Sequence, residues 1–175
     1  NRLPWLLILM ASATFTGLII NKFEGRLNAI STVLIACVPM LMDTGGNAGS
    51  QSSVTIIRAL ALGEVSTKDV LKVLWKEVRV SLLLGLCLAV ACFAKLQLID
   101  NLLFGYSDYT LIRSAIVSMA LFITVFIAKV IGCLLPIGAK AVKLDPAVVA
   151  SPFITTIVDA LSLMVFCGLS VGLLS

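Results

Sequence analysis

From Leu111 to Leu135 the chain runs with only two charges, Arg113 and Lys129. A helix needs about 20 mostly apolar residues to cross about 30 Å of hydrocarbon. Inside hydrocarbon each backbone N–H and C=O must find its partner within the segment, so such a run folds as an α-helix. Similar runs recur at Pro4–Ile20, Leu27–Leu62, Val80–Leu98 and Pro146–Leu174. Hydrophobic residues make up 60% of the 175 positions and charged residues 13%, against about 25% charged in soluble domains. The expectation is an all-α integral membrane fold with five transmembrane helices.

The spans differ in character. Pro4 suits the first turn of the first helix, where its missing N–H costs nothing. Trp5 suits the interfacial aromatic belt. Asn21–Arg26 reads as a short polar loop. The second span, Leu27–Leu62, contains Asp43-Thr-Gly-Gly-Asn-Ala-Gly-Ser-Gln-Ser-Ser53. As one helix it would measure about 54 Å, so it is expected to be long, tilted or broken, with Pro39 and Gly45-Gly46 as break points. Ser66 and Asp69 form a capping-box pattern. Lys68, Lys72, Lys76 and Arg79 then line one helical face, opposite Val70, Leu71, Leu74 and Val78. This segment reads as an amphipathic helix at a membrane surface, most simply in contact with lipid headgroups. Lys95 is placed to snorkel at the end of the third span. Pro136-Ile-Gly138 is expected to end or kink the fourth. Asp145-Pro146 resembles a helix start.

Loop charge sets the orientation. Arg2, Arg58, Lys68, Lys72, Lys76, Arg79, Lys140 and Lys143 lie at one set of ends, and Lys22, Arg26, Lys95 and Arg113 at the other. Eight against four places the N-terminus in the cytoplasm and, after five spans, the C-terminus outside. Lys129 is left at depth, facing a cavity or snorkelling. The net charge of +4 belongs to these loops and implies no nucleic-acid partner. Asn1 at the start suggests an excerpt of a longer protein, with a soluble domain ahead of it. No cleavable signal peptide is evident. The five cysteines all lie in apolar runs without a C-x-x-C pair and read as small hydrophobes. The absence of histidine excludes imidazole-based zinc or haem sites.

Two acids fall at membrane depth, Asp43 and Asp159. A charge near the bilayer centre costs roughly 2.5–3.5 kcal/mol on insertion scales, so it normally faces a partner, a cavity or an ion. Asp43 sits among Thr44, Asn47, Ser50, Gln51, Ser52 and Ser53. Asp159 sits near Ser151, Thr155, Thr156 and Ser162. Thr155 and Asp159 are i,i+4 and share a face, with Ser151 on roughly the same stripe. A one-sided polar stripe through an apolar helix suits an ion path. Oxygen donors suit hard cations such as Mg²⁺, Ca²⁺ and Mn²⁺. Mg²⁺ keeps several waters and uses one or two carboxylates. Gly45, Gly46 and Gly49 allow close backbone approach, and a broken helix offers carbonyls to ions where it lines a cavity. Blander readings stand beside these. Gly168 and Gly172 are explained by packing, either acid could be protonated and structural, and Asp145 is explained by capping.

Pro39-Met-Leu-Met-Asp-Thr-Gly-Gly-Asn-Ala-Gly-Ser-Gln51 followed by Ile57-Arg-Ala-Leu60 resembles the second-span signature of MgtE-type magnesium channels. Asp145-Pro-Ala, Ser151-Pro152, Thr155-Thr156 and Asp159 are similar to that family's fifth span, and Arg2-Leu-Pro-Trp-Leu6 to the lead into its first. The resemblance covers essentially residues 1–175, read as one transmembrane pore domain. It implies a homodimer in a prokaryotic inner membrane, five spans per subunit, and a pore on the two-fold axis lined by the second and fifth spans. Asp159 matches the family's principal pore carboxylate. Family members carry a cytoplasmic N-domain and a CBS pair ahead of this domain, which close the pore when Mg²⁺ is high. The residues expected toward the cation are Asp159, Thr155, Ser151, Asp43, Asn47, Gly46 and Asp145.

The implied function is a Mg²⁺-selective channel, not an enzyme, that moves hydrated Mg²⁺ inward without ATP. Moving two charges through 100 mV is worth about 4.6 kcal/mol. Asp43 keeps a second mechanism open, because similar eukaryotic carriers have acids in both pore helices and are described as Na⁺-coupled exchangers. A Na⁺- or H⁺-coupled Mg²⁺ transporter is the alternative. An intramembrane aspartyl protease also needs two membrane aspartates, and Asp43-Thr44-Gly45 mimics a D-T-G motif. The G-x-G-D signature of those enzymes is missing. A non-transporting assembly partner is the remaining class.

Overall fold

The computed structural model describes residues 3–174, with side chains described throughout except at positions 4, 5, 8 and 148–152. Among the described residues the regular structure is entirely helical: α1 (Leu3–Ile30), α2 (Thr32–Ala36), α3 (Val38–Ala61), α4 (Val70–Lys95), α5 (Leu111–Ala141) and α6 (Pro146–Leu174). One 3₁₀ turn, Thr67–Asp69, leads into α4, and a π-helical stretch, Leu96–Leu103, continues it. Helices of this length suit apolar runs in which every backbone group is satisfied locally.

α5 is the central post. It packs against α3, α4 and α6, while α3 also packs on α6 and α1 lies against α6. Its apolar window is 56% buried within the chain, against 17% for Thr67–Leu103 and 33% for Phe153–Leu174. Val117, Ala120, Val125, Ala128 and Cys133 of α5 are fully enclosed. These three segments are long and apolar enough to cross a membrane. α1 and α3 have 28 and 24 residues, but α3 carries the polar stretch 43–53 and α1 is charged after Ile20.

Close helix approach is fixed by glycine. A Cβ on Gly132 of α5 would collide with the backbone carbonyl of Gly49 on α3. A Cβ on Gly45 would lie 2.6 Å from Thr124 Cγ2. These contacts bring the backbones of α3 and α5 together in the manner of small-residue helix pairs.

Several expected boundaries move. Asn21–Arg26 is not a loop, because α1 continues through it to Ile30; polar side chains at a helix end leave the backbone ladder intact. The second span breaks at Ser31 and Cys37 rather than at Pro39 or Gly45-Gly46. Pro39 sits in the first turn of α3, where no intrahelical N–H is needed. The break is held by the loop before α5. Ser31, in extended backbone at φ −175°, donates from Oγ to Asp108 Oδ2 at 2.8 Å. Arg113 Nη2 donates to the Ile30 carbonyl at 3.1 Å, and Tyr109 Oη donates to the Val33 carbonyl at 3.4 Å. α5 runs through Pro136 to Ala141 without ending there.

The amphipathic segment and the third span form one helix. Its start is the expected capping box: Asp69 Oδ2 accepts from Ser66 N at 3.0 Å and Ser66 Oγ at 2.6 Å. At the far end Lys95 pairs with Asp100 at 2.7 Å. Lys140 Nζ donates to the Leu60 carbonyl at 2.8 Å, satisfying an acceptor in the last turn of α3.

Candidate functional site

α3 and α6 lie side by side, and their polar faces meet. Asp43, Gly46, Asn47 and Ser50 recur at helical spacing on α3. Thr155 and Asp159 lie one turn apart on α6. With Met42 they line a cleft of about 210 Å³, which has room for several waters. Asp43, Asn47 and Thr155 are exposed, and Asp159 is half-buried. Asn47 Nδ2 donates to Asp43 Oδ2 at 3.2 Å, so the amide orients the more exposed carboxylate. The donor set is two carboxylates, an amide and two hydroxyls, all oxygen-bearing, which favours a hard cation. Among the described residues no three His, Cys, Asp or Glu side chains are grouped so that they could hold a metal ion by themselves. Two carboxylates are as many as a Mg²⁺-type ion that keeps several waters generally uses.

The cleft gathers most of the residues expected toward a cation: Asp43, Gly46, Asn47, Thr155 and Asp159. The Ser151 side chain lies outside the described residues. Asp145 Oδ1 accepts from Ala147 N at 2.9 Å and so caps α6. It stands fourteen residues, or about 21 Å of helix, from Asp159. Ser162 is buried and donates to the Val158 carbonyl at 2.6 Å, away from the cleft. The Thr156 hydroxyl lies 3.3 Å from that of Ser12 on α1.

A second polar constellation lies behind α3. Ser52 Oγ donates to Glu77 Oε2 at 2.6 Å, and Lys129 Nζ donates to Ser52 Oγ at 3.3 Å. All three residues are buried, Glu77 at 8% and Lys129 at 6% exposure. Lys129 is therefore enclosed within the bundle and bonded to Ser52, rather than snorkelling outward. Glu77 was not anticipated. Its signal lay in periodicity, since Val70, Val73, Leu74, Glu77 and Ser81 fall on one helical stripe. Val70, Val73 and Leu74 do pack on the buried cluster of Ile56, Leu60, Cys133 and Ile137.

Residues 38–169 match the family model MgtE, described as a divalent cation transporter. The chain belongs to the MgtE family. It is similar to the magnesium transporter MgtE of Thermus thermophilus, with 35% identity over 169 residues, covering 97% of this chain and 35% of the relative. The MgtE of Bacillus subtilis is 32% identical over 171 residues, covering 97% and 36%. That of Enterococcus faecalis is 27% identical over 170 residues, covering 97% and 36%. The chain thus spans about a third of the length of these MgtE relatives. They are named as transporters rather than enzymes. MgtE membership and three membrane-capable helices make this a membrane protein.

Proposed function

We propose that this chain is the pore-forming membrane segment of a Mg²⁺ channel, with Asp159 from two copies facing one hydrated ion. The observation that carries this reading is the shared cleft of Asp43 and Asp159, open at the protomer surface. Two acids turned toward lipid would cost roughly 2.5–3.5 kcal/mol each on insertion scales. A second copy across a two-fold axis turns the open cleft into a lined path and doubles its carboxylates. Mg²⁺ comes from the relatives' names and from the all-oxygen donor set.

In this reading α1, α3, α4, α5 and α6 each cross the membrane. The contacts between Arg113 and Ile30, and between Lys140 and Leu60, support it, because they join ends that an alternating five-span path puts on the same side. Charge asymmetry places the N-terminus in the cytoplasm and the C-terminus outside. Thr155, Ser151, Asn47 and the Gly46 backbone touch the water shell of the ion, and Asp145 serves the cytoplasmic end of α6. The ion moves inward down its electrochemical gradient.

A coupled Mg²⁺ transporter is the second reading, favoured by the exposed Asp43 carboxylate beside Asp159. Liposome flux separates the two. A channel takes up Mg²⁺ under a K⁺-set membrane potential alone. Uptake that occurs only with an opposing Na⁺ or H⁺ gradient would establish exchange.

A further inference from the structure

A second cleft, of about 530 Å³, lies between the end of α3 and the start of α4. Its charged lining is Arg58, Lys72 and Lys76 with Glu64, Asp69 and Glu77. The carboxylates are not equivalent. Asp69 is committed to the Ser66 cap and Glu77 to Ser52. Glu64 is exposed. Among the described residues neither Glu64 nor any of the three cations has an ion pair within 4.0 Å. Exposed Leu62, Leu71 and Trp75 stand in the same segments, and tryptophan beside lysines at a membrane helix end marks the headgroup level.

We propose that this cleft holds the headgroup of a phospholipid bearing both a phosphate and a primary ammonium. The phosphate sits on Arg58, Lys72 and Lys76, and the ammonium on Glu64. Three cations converging from two helices suit a phosphate, with Arg58 offering a planar fork of donors. A bare anion meets the three cations but also faces the Glu64 carboxylate, whereas a zwitterion meets both signs at once. The exposed apolar side chains give the acyl chains a path along α4. A quaternary ammonium lacks the N–H donors that Glu64 accepts, and a glycerol headgroup lacks the cation. Among ethanolamine, choline and glycerol headgroups, phosphoethanolamine is the one that carries both groups.

The test is lipid retention by the purified protein in native mass spectrometry, after equilibration with phosphatidylethanolamine, phosphatidylcholine or phosphatidylglycerol. The ethanolamine lipid is expected to be retained about tenfold over either other, the weight of one charge-assisted hydrogen bond. Glu64→Gln removes that preference without disturbing packing, because the side chain is exposed. The double variant Lys72→Gln/Lys76→Gln loses retention of all three. Equal retention of the three lipids by the unmodified protein would overturn the proposal, as would unchanged retention by the double variant. Displacement of the lipid by inorganic phosphate at matched concentration would mark a free-anion site and overturn the lipid assignment. The readout is independent of ion flux, so it stands or falls apart from the pore reading.

Discussion

Ser52 of α3 donates a 2.6 Å hydrogen bond to Glu77 of α4, and the same hydroxyl accepts from Lys129 of α5. One serine thus joins two opposite charges buried in a helix bundle. α3 is held from behind by this relay while its other face carries Asp43 and Asn47 into the cleft. Removing one of these two buried charges strands the other, and the cost of about 3–5 kcal/mol known for directly paired buried charges is the upper limit for this hydroxyl-bridged pair. Lys129→Met is therefore expected to lower thermal stability in detergent far more than Lys22→Met, whose side chain is exposed. Glu77→Gln should fall between them, because it keeps an acceptor for Ser52.

The crossing of α3 and α5 gives a paired prediction. Gly132→Ala places a methyl against the Gly49 carbonyl. Backbone cannot yield as a flexible side chain does, so overpacking of about 1–3 kcal/mol or more is expected. Six residues on, Gly138→Ala meets nothing within 4 Å. It should be neutral or gain up to about 1 kcal/mol of helix propensity. Thermal denaturation of the two variants side by side checks the ordering.

Arg113→Ala should loosen the break between α1 and α3. Its ion pair with Asp108 spans 3.4 Å with the Asp108 side chain 55% exposed, so that contact is worth at most about 1 kcal/mol. The bond to the Ile30 carbonyl matters more, because it satisfies an acceptor at a helix end. Hydrogen exchange should accelerate across 27–37 and 104–114 and stay unchanged around 117–128.

The helices were largely legible because apolar runs and caps act locally. The Ser66–Asp69 box, the Asp145 cap and the Thr155–Asp159 pair follow from spacing along one helix, while Asp43, Gly46 and Asn47 stand out as a polar patch in an apolar run and by family resemblance. The break at Ser31 was not legible. It depends on Asp108, Tyr109 and Arg113, more than seventy positions away, and proline and glycine were the only local signals. Glu77 was missed for a related reason. Flanked by Lys76 and Arg79, it looks like part of a solvated face, and only its register with Val70, Val73 and Leu74 marks it as buried. α3 runs unbroken through Gly45 and Gly46, and Gly45 serves the close approach to Thr124 of α5.

Asp43→Asn tests the division of labour in the cleft. The amide keeps an oxygen for the Asn47 bond but removes one charge. In a channel, Mg²⁺ flux should fall by roughly tenfold or less, since a hydrated ion retains its other carboxylates. In an exchanger, dependence on the coupling gradient should disappear with the charge.

The most direct measurement is Mg²⁺ uptake into liposomes by Asp159→Asn against the unmodified protein, under a fixed membrane potential, with both confirmed folded by size exclusion. Asparagine preserves size and removes the carboxylate that lines the cleft from α6. Uptake by the variant is expected to drop at least about a hundredfold, the weight of a lost pair of charges at a buried ion path. Uptake equal to that of the unmodified protein would contradict a pore role for Asp159.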